Sequence, residues 1–335
     1  MKHSFNIEDV ERKVLLILRI LCESPEPLGA RVIARRMKDS GLDLSERTVR
    51  YHLKFMDQKG LTMLVGRRDG RTITDHGKEE LVNARVQDKV RLCSSRIDML
   101  AFKTTFDLSQ KQGMVPVNIS LFTKDRFKDA LEAMKPAFQD KMAVSDRIAV
   151  AEGGEKLGDI TVPDGKVGLA TVCSILINGI FLKSGIPINS KFGGILQMKN
   201  GVPLRFVELI HYAASSLDPS EIFIRGKMTS VNQVVEKGEG KILANFREIP
   251  AVSMACAEDL MEGMREMGLG GVLAVGGVGN SICETLVEVN KAGMILIGGL
   301  NPVACAHEQG IDVDNLAMTT VMEFRNMQQV SDLQM

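Results

Sequence analysis

Between Leu28 and Thr74 the residues read as helix, turn, helix and basic hairpin, an order that limits this part of the chain to a winged helix-turn-helix. The decisive segment is SERTVRYHLKFMDQKG, Ser45 to Gly60, with Ser45 placed to cap a helix N-terminus and Gly60 to close its C-terminus. Val49, Leu53 and Met56 recur at helical spacing and form a core face. Arg47, Arg50 and Lys54 fall on another face, with Thr48 and Tyr51 beside them. Such side chains read base edges and grip phosphates in a major groove.

The preceding helix, predicted from Leu28 to Ser40, puts Ala30, Ile33, Ala34 and Met37 on one stripe and ends at Gly41. A first helix, Val10 to Glu23, buries Val14, Ile17, Leu18 and Leu21 before Pro25 and Pro27 break it. After Gly60, the segments Thr62 to Val65 and Arg71 to Thr74 flank Asp69-Gly70, a hairpin signal, so that Arg67, Arg68 and Arg71 form a cationic wing. Residues 28 to 74 hold 11 Lys or Arg against 5 Asp or Glu, net +6, whereas the whole chain has 42 of each sign and net +0, leaving −6 for the rest. Positive charge gathered on one small module is what counterion release from a phosphate backbone rewards. Duplex DNA is therefore the expected partner of residues 8 to 76.

From Lys78 to about Leu100 a helix is predicted in which Val86, Val90, Cys93, Ile97 and Leu100 make an apolar seam. Residues 77 to 105 then read as a connector or dimerisation helix, or as a helix packed on its own domain. Beyond it, residues 106 to 330 change to short apolar strands, glycines and amphipathic helices, an α/β or α+β domain. Val115, Val117, Ile119 and Leu121 alternate as a strand, Phe127, Leu131, Met134 and Phe138 mark a helix face, and Asn200-Gly201 turns a hairpin. The expected fold is thus multi-domain: an all-α winged helix-turn-helix, a connector helix and an α/β (α+β) effector domain in two pseudo-repeated halves.

The repeat is read from GIFLKSGIPI at Gly179 and GMILIGGLNPV at Gly293, 114 residues apart, as are Gly185 and Gly299; Pro187 and Pro302 are 115 apart, as are Glu208 and Glu323. It pairs residues 165–212 with 276–325. A cleft between such halves is the expected ligand site. Gly276, Gly277, Gly279, Asn280 and Ser281 precede a predicted helix, so free backbone N–H groups there would meet an anion. The counterpart Asp164 to Gly168 adds Lys166, and Ser190, Lys191 and Arg205 are further polar or cationic candidates near glycines. Glycine-rich turns also read as plain turns, and these cations as solvated surface groups.

Motifs for hydrolase elbows, metalloproteases, kinases, dinucleotide sites and P-loops are missing, and the six cysteines contain no C-x-x-C pair, so neither catalysis nor a metal nor a disulfide framework is expected. There is no apolar signal region and no uninterrupted run of about 18 apolar residues. A soluble, cytoplasmic protein without membrane contact is expected.

The stretches SERTVRYHLKFMDQKGL, GLATVCSILINGIFLKSGIPINSKFGGILQMKNG and GGVLAVGGVGNSICETLVEVNKAGMILIGGLNP together resemble the NrpR family of euryarchaeal nitrogen regulators, in a short form with one effector domain. The resemblance spans nearly the whole chain. It implies a repressor of nitrogen fixation and assimilation genes in a methanogen, dimeric on palindromic operators and released by 2-oxoglutarate, with no cofactor. It also implies two further partners: a second NrpR protein lacking the DNA module, and promoter-bound basal transcription factors. The alternative reading is a DNA-binding regulator whose large domain is enzyme-like or recruits proteins in response to another metabolite.

Overall fold

The computed structural model describes residues 7–66, 70–84 and 92–333, which fall into two compact units dividing between residues 89 and 90. The first contains α1 (Ile7–Cys22), α2 (Ala30–Asp39), α3 (Glu46–Gln58), β1 (Thr62–Gly66), β2 (Gly70–Ile73) and α4 (Asp75–Asn83). Ile17, Leu18 and Leu21 of α1, Ile33 and Met37 of α2, and Val49, Leu53 and Met56 of α3 share one core, as their helical spacing requires. Leu28 lies outside α2: its N–H and C=O exchange hydrogen bonds with Arg71 at 2.9 and 3.0 Å, an isolated antiparallel bridge to the β1–β2 hairpin. That approach requires glycine at position 70, where φ is +100° and a Cβ would lie 2.3 Å from the Leu28 carbonyl carbon.

The single connector helix expected over residues 77 to 105 is not what the chain forms. Helix α4 ends at Asn83, and Ala84 turns extended with ψ 147°. Val86 and Val90 lie outside the described residues. The next helix, α5 (Leu92–Lys103), belongs to the second unit. Cys93, Ile97 and Leu100 are buried in that unit's own core, in line with the alternative of a helix packed on its own domain.

The second unit continues with β3 (Met114–Thr123), α6 (Phe127–Gln139), β4 (Arg147–Glu152), β5 (Lys166–Val172), α7 (Ile175–Lys183), β6 (Asn189–Lys199) and β7 (Val202–His211). Then come α8 (Pro219–Arg225), α9 (Val231–Lys237), β8 (Gly240–Pro250), α10 (Met254–Glu266), β9 (Val272–Val275), β10 (Lys291–Ile297), α11 (Asn301–Glu308), β11 (Asp314–Glu323) and β12 (Gln328–Gln329). Two five-stranded sheets result, in the orders β11-β3-β5-β4-β12 and β9-β10-β8-β6-β7. Every neighbouring pair is antiparallel, so the unit is α+β. Asn200 and Gly201, with φ 53° and 73°, turn the β6–β7 hairpin.

The residue equivalences read between Gly179 and Gly293 do not hold: Gly179 lies in helix α7 and Gly293 in strand β10. Nor does SICETLVEVN form a helix; Ile282 and Thr285 close a turn instead. The topology repeats in another register. The series β3-α6-β4-β5-α7-β6 and β8-α10-β9-β10-α11-β11 begin at 114 and 240, and their helices at 127 and 254, then at 175 and 301. Each series ends with a strand that crosses into the other sheet, β6 beside β8 and β11 beside β3. The ladders confirm the register: Asn118 pairs with Thr171 as Asn245 pairs with Leu296, and Ser120 with Leu169 as Arg247 with Met294. Lys166-Val-Gly-Leu and Lys291-Ala-Gly-Met are its trace in the sequence.

Asn301, fully buried at the start of α11, ties that helix to β8. Its amide accepts from the Leu243 N–H at 2.8 Å and donates to the Leu243 carbonyl at 3.0 Å. Asn301→Ala leaves both main-chain groups unpaired, and chemical denaturation is expected to show a loss of about 2–4 kcal/mol.

Candidate functional site

On α3, Arg47, Arg50, Tyr51 and Lys54 stand at spacings of three, one and three residues, on one face, and all four are exposed. The opposite face is buried through Val49, His52, Leu53 and Met56. Ser45 caps the helix by accepting the Thr48 N–H at 3.2 Å, and its hydroxyl lies 2.8 Å from that of Thr48. Thr48, expected to face DNA, is thus partly engaged in the cap. Arg50 pairs with Glu46 one turn earlier on the exposed surface, an interaction that contributes little and yields readily to a phosphate.

Of the wing cations, Arg67 and Arg68 lie outside the described residues. Arg71 does not extend as a free wing contact: its Nε donates to Asp57 at 2.8 Å, while Thr62 donates to the same carboxylate at 2.6 Å. Asp57 thereby bolts α3 to both strands of the hairpin. The side chains that sequence reasoning passed over are Met63, Leu64 and Val65, exposed on β1 beside this face-forming helix.

In the second unit the effector residues expected from the sequence do not gather around one anion. Gly276, Gly277, Gly279, Asn280 and Ser281 lie in an irregular link between β9 and β10 with no following helix, so the expected helix N-terminus is absent there. Lys166 opens strand β5, not a helix, and pairs with Asp314 at 3.3 Å. Lys191 is held by Glu248 at 3.3 Å and by Glu288. Arg205 binds Gln197 at 3.1 Å and lies 3.9 Å from Glu284. Ser190 accepts from the Asn178 amide at 3.0 Å. The link from 276 to 290 supplies the carboxylates Glu288 and Glu284 that pair with Lys191 and Arg205.

A different polar cluster lies where the two repeated halves meet. A cavity of about 20 Å³ is lined by residues including Asn118, Ser174, Tyr212, Asp218, Asn245 and Arg247. Arg247 is 1 % exposed. It donates to the Ser174 carbonyl at 3.3 Å and hydroxyl at 3.1 Å, and its Nε has no partner. Asn245 donates to the Ser174 hydroxyl at 3.2 Å and accepts from Tyr212. Asp218 caps α8, accepting from the Ser220 and Glu221 N–H groups at 2.8 and 3.2 Å. Burial pushes the neighbouring Cys173 thiol up to about 11, which keeps it unreactive near neutrality. A wider cleft of about 290 Å³ lies elsewhere on the unit, where Lys111, Arg147 and Arg325 are the cations. There Arg147 is committed to the Met327 carbonyl at 2.7 Å and to the face of Phe324.

Residues 90–329 match the family described as NrpR regulatory domains NRD1 and 2. The chain belongs to the NrpR family. Residues 15–81 match the winged-helix domain of ribonuclease R. The chain is 38 % identical over 96 % of its length to the global nitrogen regulator NrpRI of Methanosarcina mazei, covering 98 % of that protein. It is 33 % identical over 93 % of its length to the global nitrogen regulator NrpR of Methanococcus maripaludis, of which it covers 54 %. A crystal structure of a nitrogen repressor-like protein from Methanococcus jannaschii superposes with a TM-score of 0.61 at 27 % identity, over 72 % of this chain and 99 % of the other. This NrpR-family chain is accordingly a nitrogen-related transcriptional regulator and not an enzyme. No helix among its described residues is long and apolar enough to cross a membrane.

Two structural features of this NrpR-family chain are open to direct measurement. Arg71→Ala removes the Asp57 bolt, and the first unit is expected to lose about 1–2 kcal/mol in thermal denaturation, whereas Arg47→Ala on the open face leaves its Tm unchanged. Burial also pushes the Glu221 carboxyl up to about 7, against 4.5 ordinarily. The folded chain therefore holds a proton there that the unfolded chain releases, so this contribution to stability is complete below about pH 4.5 and is lost as pH rises through 7. Glu221→Gln should gain in Tm relative to the native sequence between pH 5 and pH 8; an equal difference at both pH values would contradict this.

Proposed function

We propose that this chain is a repressor of nitrogen-assimilation genes that binds palindromic operator DNA as a homodimer and is released by 2-oxoglutarate. The observation that carries the DNA reading is the exposed row Arg47, Arg50, Tyr51 and Lys54 on the capped helix α3. A helix so decorated presents base-reading and phosphate-gripping groups together. Each chain offers one such helix among its described residues, and a palindrome needs two at fixed spacing, which is why a homodimer is the form proposed. The relatives named as global nitrogen regulators support the set of genes. A dicarboxylate effector is supported by the family and by a large unit that buries the Arg247 guanidinium with only Ser174 as its hydrogen-bond partner among the described residues.

The effector acts only to the extent that it prefers the DNA-free form, and operator DNA must weaken its binding by the same factor. Fluorescence anisotropy of the full chain on operator DNA, titrated with 2-oxoglutarate and with glutamate as control, tests this. Release by 2-oxoglutarate alone is expected; unchanged anisotropy would sink the effector reading while leaving DNA binding intact. Arg50→Ala is expected to weaken operator binding by about 1–3 kcal/mol and random DNA much less. Lys54→Ala should weaken both alike and lower the salt slope by about one. Equal losses on both DNAs for Arg50→Ala would remove its base-reading role.

A further inference from the structure

We infer that the cleft of about 290 Å³ on the large unit is a binding site for a small phosphate compound, its phosphate group held among Lys111, Arg147 and Arg325. The cleft shares no lining residue with the buried cluster around Arg247, and the inference does not rest on the effector reading above. Lys166 and Lys191 of this unit are paired with carboxylates. Among the described residues, none of the three cleft cations is. The acid on the wall, Asp146, accepts from the Gln329 amide at 3.1 Å instead. Three cations against one acid leave a charge of +2 facing the cleft. A phosphate monoester brings close to two negative charges and three acceptor oxygens on one tetrahedral centre, so cations arriving from three directions can share it. A carboxylate is planar and suits a single guanidinium fork. The volume is at the small end of the range for ligand pockets and suits a metabolite rather than a polymer chain.

Arg147 is the prepared member of the three. One terminal nitrogen donates to the Met327 carbonyl at 2.7 Å, and the guanidinium lies 5.1 Å from the centroid of the Phe324 ring, which fixes its position. Its other guanidinium nitrogens make no hydrogen bond among the described residues and are left for a ligand. Beside it Ser145, 5 % exposed, accepts the Arg147 N–H at 3.1 Å, and its own hydroxyl hydrogen donates to no described group. Lys111 and Arg325 are exposed and come from separate turns. Lys111, at φ +52°, belongs to the loop closed by Asp107 and Gln112, and Arg325 to the turn Phe324–Asn326. The cleft also borders the end of α10, where the Met264 and Arg265 carbonyls accept the N–H groups of Met267, Gly268 and Leu269. The negative pole of that helix is thereby capped.

The repeat of the fold shows that the cleft is an addition to one half. Ile148 pairs with Thr171 as Val272 pairs with Leu296, so the counterparts of Asp146 and Arg147 are Gly270 and Gly271. The last strand, β12, has no counterpart either, because the first series runs from β6 directly into the long hairpin strand β7. The frame is complete without these charged residues, and the turn and strand from 324 to 329 exist on this side only. Strand β12 meets β4 through two pairs, Gln328 with Ile148 and Gln329 with Arg147. A phosphate bridging Lys111, Arg147 and Arg325 would tie this short strand to β4 and to the loop before β3, and so stabilise the folded unit.

Thermal-shift and calorimetric titrations of the full chain in phosphate-free buffer test the site, with ribose 5-phosphate, AMP, inorganic phosphate, sulfate and 2-oxoglutarate as ligands. The native sequence is compared with Lys111→Gln, Arg325→Gln and the double variant, since both side chains are exposed and unpaired and the fold should tolerate their loss. The expected result is a rise in Tm with a phosphate monoester, with binding about 10-fold weaker in each single variant and on the order of 100-fold weaker in the double variant. Inorganic phosphate acting as strongly as the esters, and equally sensitive to the substitutions, would keep the site and assign it to the free ion. Sulfate acting as strongly as phosphate would overturn it as a phosphate site, leaving a non-selective anion trap. A 2-oxoglutarate response lost in the double variant would overturn the phosphate reading in favour of a carboxylate. Stabilisation by phosphate compounds that is unchanged in the double variant, or none in the native sequence, would overturn the site.

Discussion

Each sheet of the large unit is completed by a strand from the other half: β6 closes the ladder beside β8, and β11 the one beside β3. Main-chain groups in a buried strand must be paired, so neither half can satisfy its own hydrogen bonds alone. The halves therefore meet over a dense core rather than across an open cleft, with Val117, Ile119, Ile242 and Ile297 all fully buried. Against that background the polar group of Asn118, Asn245, Ser174, Tyr212 and Arg247 stands out by its chemistry. Asn301 shows what a buried polar side chain does when it serves the fold, with its amide spent on both groups of Leu243. Arg247 is different, since part of its donor set remains unspent.

Charge is disposed differently in the two units. On α3 the cations project from a face whose only acid is Glu46. In the large unit the cations read as ligands are neutralised by carboxylates brought near through the fold: Lys166 by Asp314 and Lys191 by Glu248 and Glu288, just as Lys124 is met by Glu152 at 2.6 Å. The long-range field that attracts a polyanion thus belongs to the small unit. An anion taken up by the large unit must instead meet a local, dehydrated group.

The winged helix was legible in the sequence because its signals are local. The cap at Ser45 and the apolar spacing of Val49, Leu53 and Met56 each act over a few residues. The large unit was legible as α+β, but its buried polar cluster was not. The Gly276 to Asn280 run looked like a helix start because apolar residues come after it, yet Ile282 and Val287 are spent in packing against Gly293. The repeat was sensed but placed one element out of register, since glycine pairs in α7 and β10 resemble each other although one is helix and the other strand. Arg247 carried no signal: in ANFREIP it reads as an ordinary strand arginine, and only the pairing of β8 with both β6 and β10 puts it in the interior. Cys93, Ile97 and Leu100 have a coiled-coil spacing that a helix docked on its own domain uses equally well.

The exchange of last strands also sets the order in which this chain can be made. Strand β3 is synthesised near residue 114, but the partner on its outer edge is not available until β11 is complete near residue 323. During translation the first sheet waits with an open edge, a surface that templates pairing with other chains. A nascent chain of this family is thus exposed to misassembly for most of its synthesis, and folding of the large unit is in essence a post-translational event with a high proportion of long-range contacts. A message broken between the first unit and β11 would yield a complete winged helix attached to an unfinished sheet.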